Sequence, residues 1–251
     1  MRKIILTVDL ESDWGGRSGS LYSIEVGMCR LLRLLKANEA TATFFVSGSI
    51  AKKIKGLLGE IIREDHEIAS HGYSHNTAYD SMKPDQLMME IVDSKKCLED
   101  IISNSVIGFR TPQFRKHKDT DRFLLESGYV YDSSCVGVAM PGRYESMQNC
   151  SKEILQIPVS SLLGLLPAGL KWINLARGFP LRKDRSVIYM HMFDLLSAWE
   201  TMQNFDHYGL KVLAFYLARI GSPWNTLASC SYGSISIKKS IYSEKESDNN
   251  E

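Results

Sequence analysis

Two histidines and two acidic residues in the first third of the chain have the types and spacing of a metal site. His71 and His75 are four residues apart, and Asp9 and Glu11 follow the apolar run Ile4–Val8. Imidazole nitrogen binds zinc and most divalent first-row metals. Structural zinc sites are normally closed by four protein ligands, whereas two histidines with one carboxylate leave coordination positions open. This pattern therefore predicts a divalent metal site that carries out chemistry.

Apolar runs predict the strands that position these residues: 4–8, 41–46, 67–70, 106–109, 129–131, 154–158 and 187–192. Helical periodicity predicts helices over 20–36, 50–63, 86–102, 120–126 and 210–220. Strands that alternate with helices indicate parallel β-α units. In a parallel barrel the carboxyl ends of the strands form one face, where active sites of this architecture lie. We therefore expect one pocket to collect the polar residues that follow the strands, namely Asp9, Glu11, His71, His75, Arg110, Asp132 and His191.

The length and composition fit one α/β domain. The chain has 251 residues, of which 44% are hydrophobic and 24% are charged, as in ordinary soluble globular proteins. We expect residues 1–235 to form a single barrel domain and the polar residues 236–251 to form a disordered tail. The formal net charge of +1 gives no indication of a nucleic-acid partner.

The sequence carries no recognisable export or membrane-spanning pattern, so we expect a cytoplasmic protein. The run Ile4–Val8 after Met1-Arg-Lys is too short for a signal peptide. Residues 154–170 carry no charge, but two prolines and two glycines interrupt them, which argues against a transmembrane helix. The apolar segments 162–166 and 170–175 either pack over the barrel or rest on the inner membrane face as a peripheral contact.

Five short motifs follow one another along the chain: Asp9-x-Glu11, His71-x-x-x-His75, Arg110-x-Pro112-x-Phe114, Asp132-Ser-Ser134 and Tyr189-Met-His191. In this order they resemble the motifs of the NodB-type polysaccharide deacetylases, which belong to carbohydrate esterase family four. The spaced acidic pair resembles the branch that includes aminoarabinose deformylases and some peptidoglycan deacetylases. The resemblance covers residues 4 to about 195 and implies a distorted (β/α) barrel of about seven or eight parallel strands.

The resemblance implies roles for the residues nearest the metal. Asp9 is the expected catalytic base, and Arg110 is the residue that orients it. The expected metal ligands are Glu11, His71 and His75. We expect Zn²⁺ as the bound ion. Co²⁺, Fe²⁺ and Ni²⁺ are alternatives, because the same ligand set suits them as well. The opposite assignment, in which Asp9 binds the metal and Glu11 acts as the base, stays open.

The resemblance also implies an acid and a set of substrate contacts. His191 is the expected general acid, and Asp132 is the carboxylate expected to pair with it, although Asp-Ser-Ser is also ordinary turn chemistry. Two features depart from the family pattern. No tryptophan follows the serine of the fourth motif, and Tyr189 or Met190 replaces the usual leucine of the last motif. The expected substrate contacts are Pro112, Phe114 and Trp14, with a packing role as the alternative for Trp14.

Together these residues predict a metal-dependent hydrolase that removes the N-acetyl group of an amino sugar. The expected substrate is a polysaccharide, an oligosaccharide or a lipid-linked glycan precursor. Asp9 would accept a proton from water activated by the metal, and His191 would protonate the leaving nitrogen. The alternatives are a cyclic amide or imide hydrolase of the allantoinase type, from the same superfamily, and a catalytically silent carbohydrate-binding protein. The oligomeric state stays open.

Overall fold

A curled sheet of parallel strands organises the computed structural model, which describes residues 3–13, 19–75, 78–137, 154–162, 166–170, 185–203, 223–231 and 233–248. The strands are β1 (Lys3–Leu10), β2 (Thr43–Val46), β3 (Glu67–Ser70), β4 (Gly108–Phe109), β5 (Tyr131–Asp132), β6 (Leu155–Gln156), β7 (Ser161–Leu162), β8 (Leu166–Pro167) and β9 (Arg185–His191). Within these described ranges the main sheet has seven strands in the order β6-β5-β4-β3-β2-β1-β9, all of them parallel. The predicted α/β barrel of parallel strands is confirmed as a half-barrel. The pair β7-β8 is antiparallel and separate.

The described part of the chain also forms helices, several of which pack on the outer face of the sheet. They are α1 (Tyr22–Ala37), α2 (Gly48–Ala51), α3 (Lys55–Arg63), α4 (Pro84–Ile102), α5 (Thr120–Glu126), α6 (Ala198–Gln203), α7 (Pro223–Ser231) and α8 (Ile237–Asp248). Short 3₁₀ helices occupy Tyr79–Ser81, Pro112–Phe114 and Met192–Leu195. The segment 50–63, predicted as one helix, is divided into α2 and α3 by a turn at 52–54, and the predicted helix over 210–220 lies outside the described residues. Among the helices described, none has the length and apolar character needed to cross a bilayer.

Alternation of side chains along β1 explains how Asp9 reaches the concave side of the half-barrel. Leu6 and Val8 pack in the main core under the helices. Ile5 and Asp9 lie on the opposite, inner face because successive side chains of a strand alternate. A second buried cluster fills this inner face and contains Ile5, Phe45, Ala69, Tyr131, Ile157, Val159, Val187, Tyr189, Ile237 and Ile241.

Described residues of the segment that follows β6 lie along the open edge of β9. The Ser160 N–H donates to the Val187 carbonyl (3.0 Å), and the Tyr189 N–H donates to the Ala168 carbonyl (3.1 Å). This irregular segment therefore covers an edge that carries no strand of the main sheet in the described part of the chain. Residues 163–165 and 171–175, within the two apolar segments for which membrane contact was an alternative, lie outside the described residues.

The structure corrects the expectation that residues 236–251 are a disordered tail, because α8 occupies Ile237–Asp248. Ile237 and Ile241, one helical turn apart, are buried in the inner cluster. At the start of α8 the Lys238 N–H donates to the buried Glu67 carboxylate (2.9 Å), and burial raises the pKa of that carboxyl group. Two apolar contacts and one capping carboxylate therefore anchor a helix whose remaining composition is polar.

We expect the substitution Ile237→Ala to lower the free energy of unfolding by about 2–5 kcal/mol, because it leaves a cavity in the inner cluster. Lys238→Ala is the matched control, since the exposed side chain of Lys238 should contribute less than about 0.5 kcal/mol. Urea unfolding followed by circular dichroism measures both. Equal stability of the two variants would show that the C-terminal helix does not pack against the sheet.

Candidate metal and catalytic centre

A cavity of about 290 Å³ opens where β1 and β9 end. It is lined by Asp9, Glu11, His75, Thr111, Gln113, Phe114, Tyr189, His191 and Phe193. The register explains why residues distant in sequence meet here, because Asp9 is aligned with Phe45 of β2 and with His191 of β9. The strand ends thus bring the residues of the first and last motifs to one place.

Glu11, His71 and His75 form a compact buried group whose ligand atoms lie within 4.8 Å of one another. Glu11 Oε2 is 3.4 Å from His71 Nε2 and in contact with His75 Nε2. Within the described chain, neither Glu11 Oε2 nor His75 Nε2 has a hydrogen-bond partner. Buried polar atoms are almost always satisfied, so these converging lone pairs fit a bound divalent cation.

The second nitrogen of His71 fixes the orientation of its ring. His71 Nδ1 lies 2.9 Å from the backbone carbonyl oxygen of Arg110, which can only accept a hydrogen bond. Nδ1 must therefore carry the proton, which leaves the Nε2 lone pair facing Glu11. A ring nitrogen that donates to a carbonyl in this way orients its partner nitrogen for metal binding.

The carboxyl group of Glu11 is held in its ionised form. Burial alone would raise its pKa, but the neighbouring imidazoles of His71 and His75 and the charge of His191 outweigh burial and hold the pKa well below its usual range. A metal ligand of this type must be deprotonated to bind. The environment of Glu11 therefore suits a ligand rather than an acid that donates a proton.

Arg110 is fully buried and directs its guanidinium group at Asp9. Its Nη1 lies 2.7 Å from Asp9 Oδ1 and also donates to the Thr7 hydroxyl (2.9 Å). Its Nε and Nη2 donate to the carbonyl and the hydroxyl of Ser133 (3.2 and 2.9 Å), and its plane stacks on the ring of Phe45 at 4.0 Å. Asp9 thus has one oxygen fixed by Arg110, while its other oxygen faces His191 at 3.9 Å.

The structure corrects the predicted pairing of Asp132 with His191. Asp132 Oδ2 forms an ion pair with Lys116 Nζ at 2.8 Å, and its Oδ1 accepts the N–H of Ser134 at 3.0 Å. Ser134 in turn accepts the Thr111 N–H at 2.8 Å. Asp132 therefore braces the segment that holds Arg110 in place, and it acts at a distance from the cavity.

The carboxylate beside His191 belongs to Asp194, which lies outside the five sequence motifs. Asp194 Oδ2 accepts the backbone N–H of His191 (2.9 Å) and lies 3.3 Å from His191 Nδ1. Burial would lower the pKa of His191, but the hydrogen bond to Asp194 and the charges of Glu11 and Asp9 raise it to about 9. The 3₁₀ turn after β9 brings Asp194 back to His191, and a carboxylate three residues after the histidine is the one signal the sequence offers.

Aromatic side chains form the walls of the cavity. Phe114 packs edge-on against Tyr189 with ring centroids 5.1 Å apart, and Phe193 stacks on His191 at 4.5 Å. Tyr189 rather than Met190 lines the cavity, because Met190 is buried in the main core. The other two predicted substrate contacts are placed differently: Pro112 is itself buried, and Trp14 lies outside the described residues.

Comparison with known proteins relates this chain to polysaccharide deacetylases. The family model described as polysaccharide deacetylase matches residues 3–131. The peptidoglycan deacetylase of Helicobacter pylori is 30% identical over 117 residues, which are 47% of this chain and 40% of that protein. The peptidoglycan-N-acetylglucosamine deacetylase of Bacillus cereus is 30% identical over 100 residues, which are 40% of this chain and 46% of that protein. The matched regions therefore span less than half the length of either relative.

Among solved structures, a Mycobacterium smegmatis protein assigned to the polysaccharide deacetylases superposes with a TM-score of 0.63. It is 20% identical in sequence, and the alignment covers 99% of this chain and 92% of that protein. At this level of identity the similarity shows a shared fold.

We expect Asp194→Asn to lower the pKa of His191 from about 9, because the variant loses the negative charge that favours the imidazolium form. The imidazolium would then be lost at a lower pH than in the unaltered protein. Proton NMR titration of the His191 ring in metal-free protein measures this shift directly. Asp132→Asn is the matched control and should leave the His191 titration in place, since Asp132 pairs with Lys116. An unchanged titration in Asp194→Asn would contradict the assignment.

Proposed function

This chain belongs to the polysaccharide deacetylase family, and we propose that it is a metal-dependent hydrolase that removes an N-acetyl group from an amino sugar. One observation carries this function. The buried group of Glu11, His71 and His75 lies at one cavity with Asp9 and His191. Asp9 is paired with Arg110, and His191 is paired with Asp194. Hydrolysis of an unactivated amide needs a polarised carbonyl, a base for water and an acid for the leaving nitrogen.

Glu11, His71 and His75 would hold the metal, with zinc as the proposed ion and cobalt, iron and nickel as alternatives. When bound, a divalent cation supplies Lewis acidity that lowers the pKa of water and polarises the amide carbonyl. Two nitrogens and one carboxylate oxygen leave coordination positions for ligands other than the protein. The three residues thus fit a catalytic site better than a closed structural one.

Asp9 and His191 divide the proton transfers between them. Asp9 is held by its ion pair with Arg110 through one carboxylate oxygen and would accept the proton of the attacking water on its second oxygen. The contact of His191 with Asp194 favours the imidazolium form, which would protonate the departing sugar nitrogen. The side chains face each other across 3.9 Å, so the acid and the base are next to the same reacting group.

The proposed substrate class is an N-acetylated amino sugar within a polysaccharide, an oligosaccharide or a lipid-linked glycan precursor. The Helicobacter and Bacillus relatives support this class, because the first is a peptidoglycan deacetylase and the second a peptidoglycan-N-acetylglucosamine deacetylase. The aromatic walls made by Phe114, Tyr189 and Phe193 suit the methyl group and the apolar ring faces of such a sugar. The cytoplasmic location and the peripheral membrane contact stay predictions from the sequence.

We expect metal-stripped protein reloaded with zinc or cobalt to release acetate from N-acetylglucosamine oligomers or from lipid-linked N-acetyl sugars. Asp9→Asn should reduce the rate by about 10²- to 10⁴-fold, because the base is lost, while the variant still binds one equivalent of metal. Glu11→Gln is the complementary variant and should lose metal binding and turnover together. Acetate assays and metal analysis of the same preparations separate the two effects.

The other outcomes of this experiment have distinct meanings. Ring opening of cyclic amides without acetate release would identify the allantoinase-type alternative. Stoichiometric metal binding without hydrolysis of either substrate class would indicate a silent carbohydrate-binding protein. Failure of the unaltered chain to bind metal would contradict the proposed role of Glu11, His71 and His75.

A further inference from the structure

The backbone between the two histidine ligands adopts an uncommon conformation. Gly72 has a φ of +71° and His75 a φ of +56°, in the left-handed region. Glycine adopts this region freely, but a residue with a side chain does so at a cost. A Cβ atom on Gly72 would also meet the Tyr79 hydroxyl oxygen at 2.0 Å. Surrounding contacts must therefore hold the segment 71–75, which we call the histidine loop.

Two carbonyl groups of the histidine loop accept hydrogen bonds from backbone N–H groups of α2. The Gly48 N–H donates to the Gly72 carbonyl (2.9 Å), and the Ser49 N–H donates to the Tyr73 carbonyl (2.8 Å). These are backbone contacts, so they depend little on the side chains of α2. They leave the N–H groups of the same loop residues to be satisfied from elsewhere.

The N–H groups of the two residues in the middle of the loop are held by one carboxylate on α4. Glu90 Oε2 accepts the backbone N–H groups of Tyr73 and Ser74, both at 2.9 Å. The Ser74 hydroxyl donates to Glu90 Oε1, and the Tyr79 hydroxyl donates to Oε2 at 3.2 Å. Four donors therefore converge on Glu90, and three of them belong to the histidine loop.

The same face of α4 also contacts the start of the loop. Ser94, one helical turn after Glu90, shares a hydrogen bond of 2.7 Å with the hydroxyl of Ser70, next to His71. Charge-assisted hydrogen bonds to backbone N–H groups are stronger than neutral ones. Glu90 is thus the strongest side-chain contact between α4 and the two residues in the middle of the loop.

We propose that Glu90 is a positioning residue that sets metal affinity by fixing the backbone between His71 and His75. This inference rests on the proposed binding of a metal by Glu11, His71 and His75, and Glu90 is not one of these three residues. The two imidazoles must stay close together, with ring centroids 5.2 Å apart, for both to reach one ion. Without Glu90 the loop would sample other conformations, and binding would have to restore the order that the carboxylate now provides.

The test compares three variants by competition of the metal-stripped protein with a chromophoric chelator for Zn²⁺ and Co²⁺. Glu90→Ala should bind both ions about 10- to 100-fold more weakly, as expected when a residue that orients the ligands is lost. Glu90→Gln should retain most of the affinity, because its amide oxygen can accept the Tyr73 and Ser74 N–H groups. Asp93→Ala removes an exposed negative charge from the same helix and should leave the affinity unchanged.

These variants distinguish positioning from simple charge. If Glu90 acted only by its negative charge, Glu90→Gln would lose as much affinity as Glu90→Ala, which would overturn the inference. Equal affinity of Glu90→Ala and the unaltered chain would overturn it as well. Failure of the unaltered chain to bind either ion would instead contradict the proposed metal centre itself.

A second measurement does not depend on metal. Amide hydrogen exchange of the metal-free protein should show faster exchange at Tyr73 and Ser74 in Glu90→Ala than in Glu90→Gln. Exchange in the strands of the sheet should stay the same in both variants, which would exclude a general loss of folding. Unchanged exchange at Tyr73 and Ser74 would show that Glu90 does not hold the loop, whatever the metal affinity.

Discussion

The structure depends on a buried ion pair between Arg110 and Asp9. Removing two charges from water is costly, and the cost is offset only when the remaining polar atoms are also satisfied. Here the guanidinium donates to Asp9, Thr7 and Ser133 and stacks on Phe45. The backbone of Arg110 extends the same network, since its N–H donates to the Ser70 carbonyl and its carbonyl accepts from His71. One residue thus links β1, β3 and the segment after β5 to the proposed base, Asp9, and to a proposed metal ligand, His71.

The acid side of the cavity is built separately and more locally. His191 and Asp194 lie three residues apart around a single 3₁₀ turn, whereas the base and the ligands are linked through several strands. Besides the pairing of β1 with β9, the two halves face each other across the cavity, where His191 Nε2 lies 3.9 Å from Asp9 and 3.7 Å from Glu11. This division places the proposed base and the proposed acid in different surroundings at short range. Arg110 holds Asp9 in a buried ion pair on one side, and Asp194 favours the imidazolium form of His191 on the other.

The sequence predicts the parts of the site that follow from strand periodicity. Asp9, His71, Arg110 and His191 each follow an apolar run, and the ends of parallel strands must converge. It does not discriminate between Asp132 and Asp194, because which carboxylate reaches a histidine depends on the path of a turn. The polar composition after residue 236 hides α8, whose attachment needs only Ile237 and Ile241 on one face. The role of Glu90 is equally hidden, since its partners are backbone N–H groups that leave no mark on residue types.

The position of β1 between β2 and β9 has a consequence for synthesis on the ribosome. A hydrogen bond from the Thr7 hydroxyl to the Ile188 carbonyl joins residues 181 positions apart. One edge of β1 therefore cannot form its pairing with β9 until residues 185–191 have been translated. The proposed metal ligands have all emerged by residue 75, well before the proposed acid on β9. A nascent chain therefore passes through a stage that already carries every ligand but exposes an apolar, unpaired strand edge. Such an edge pairs readily with other chains, so this interval of synthesis is one in which the nascent chain is prone to aggregate.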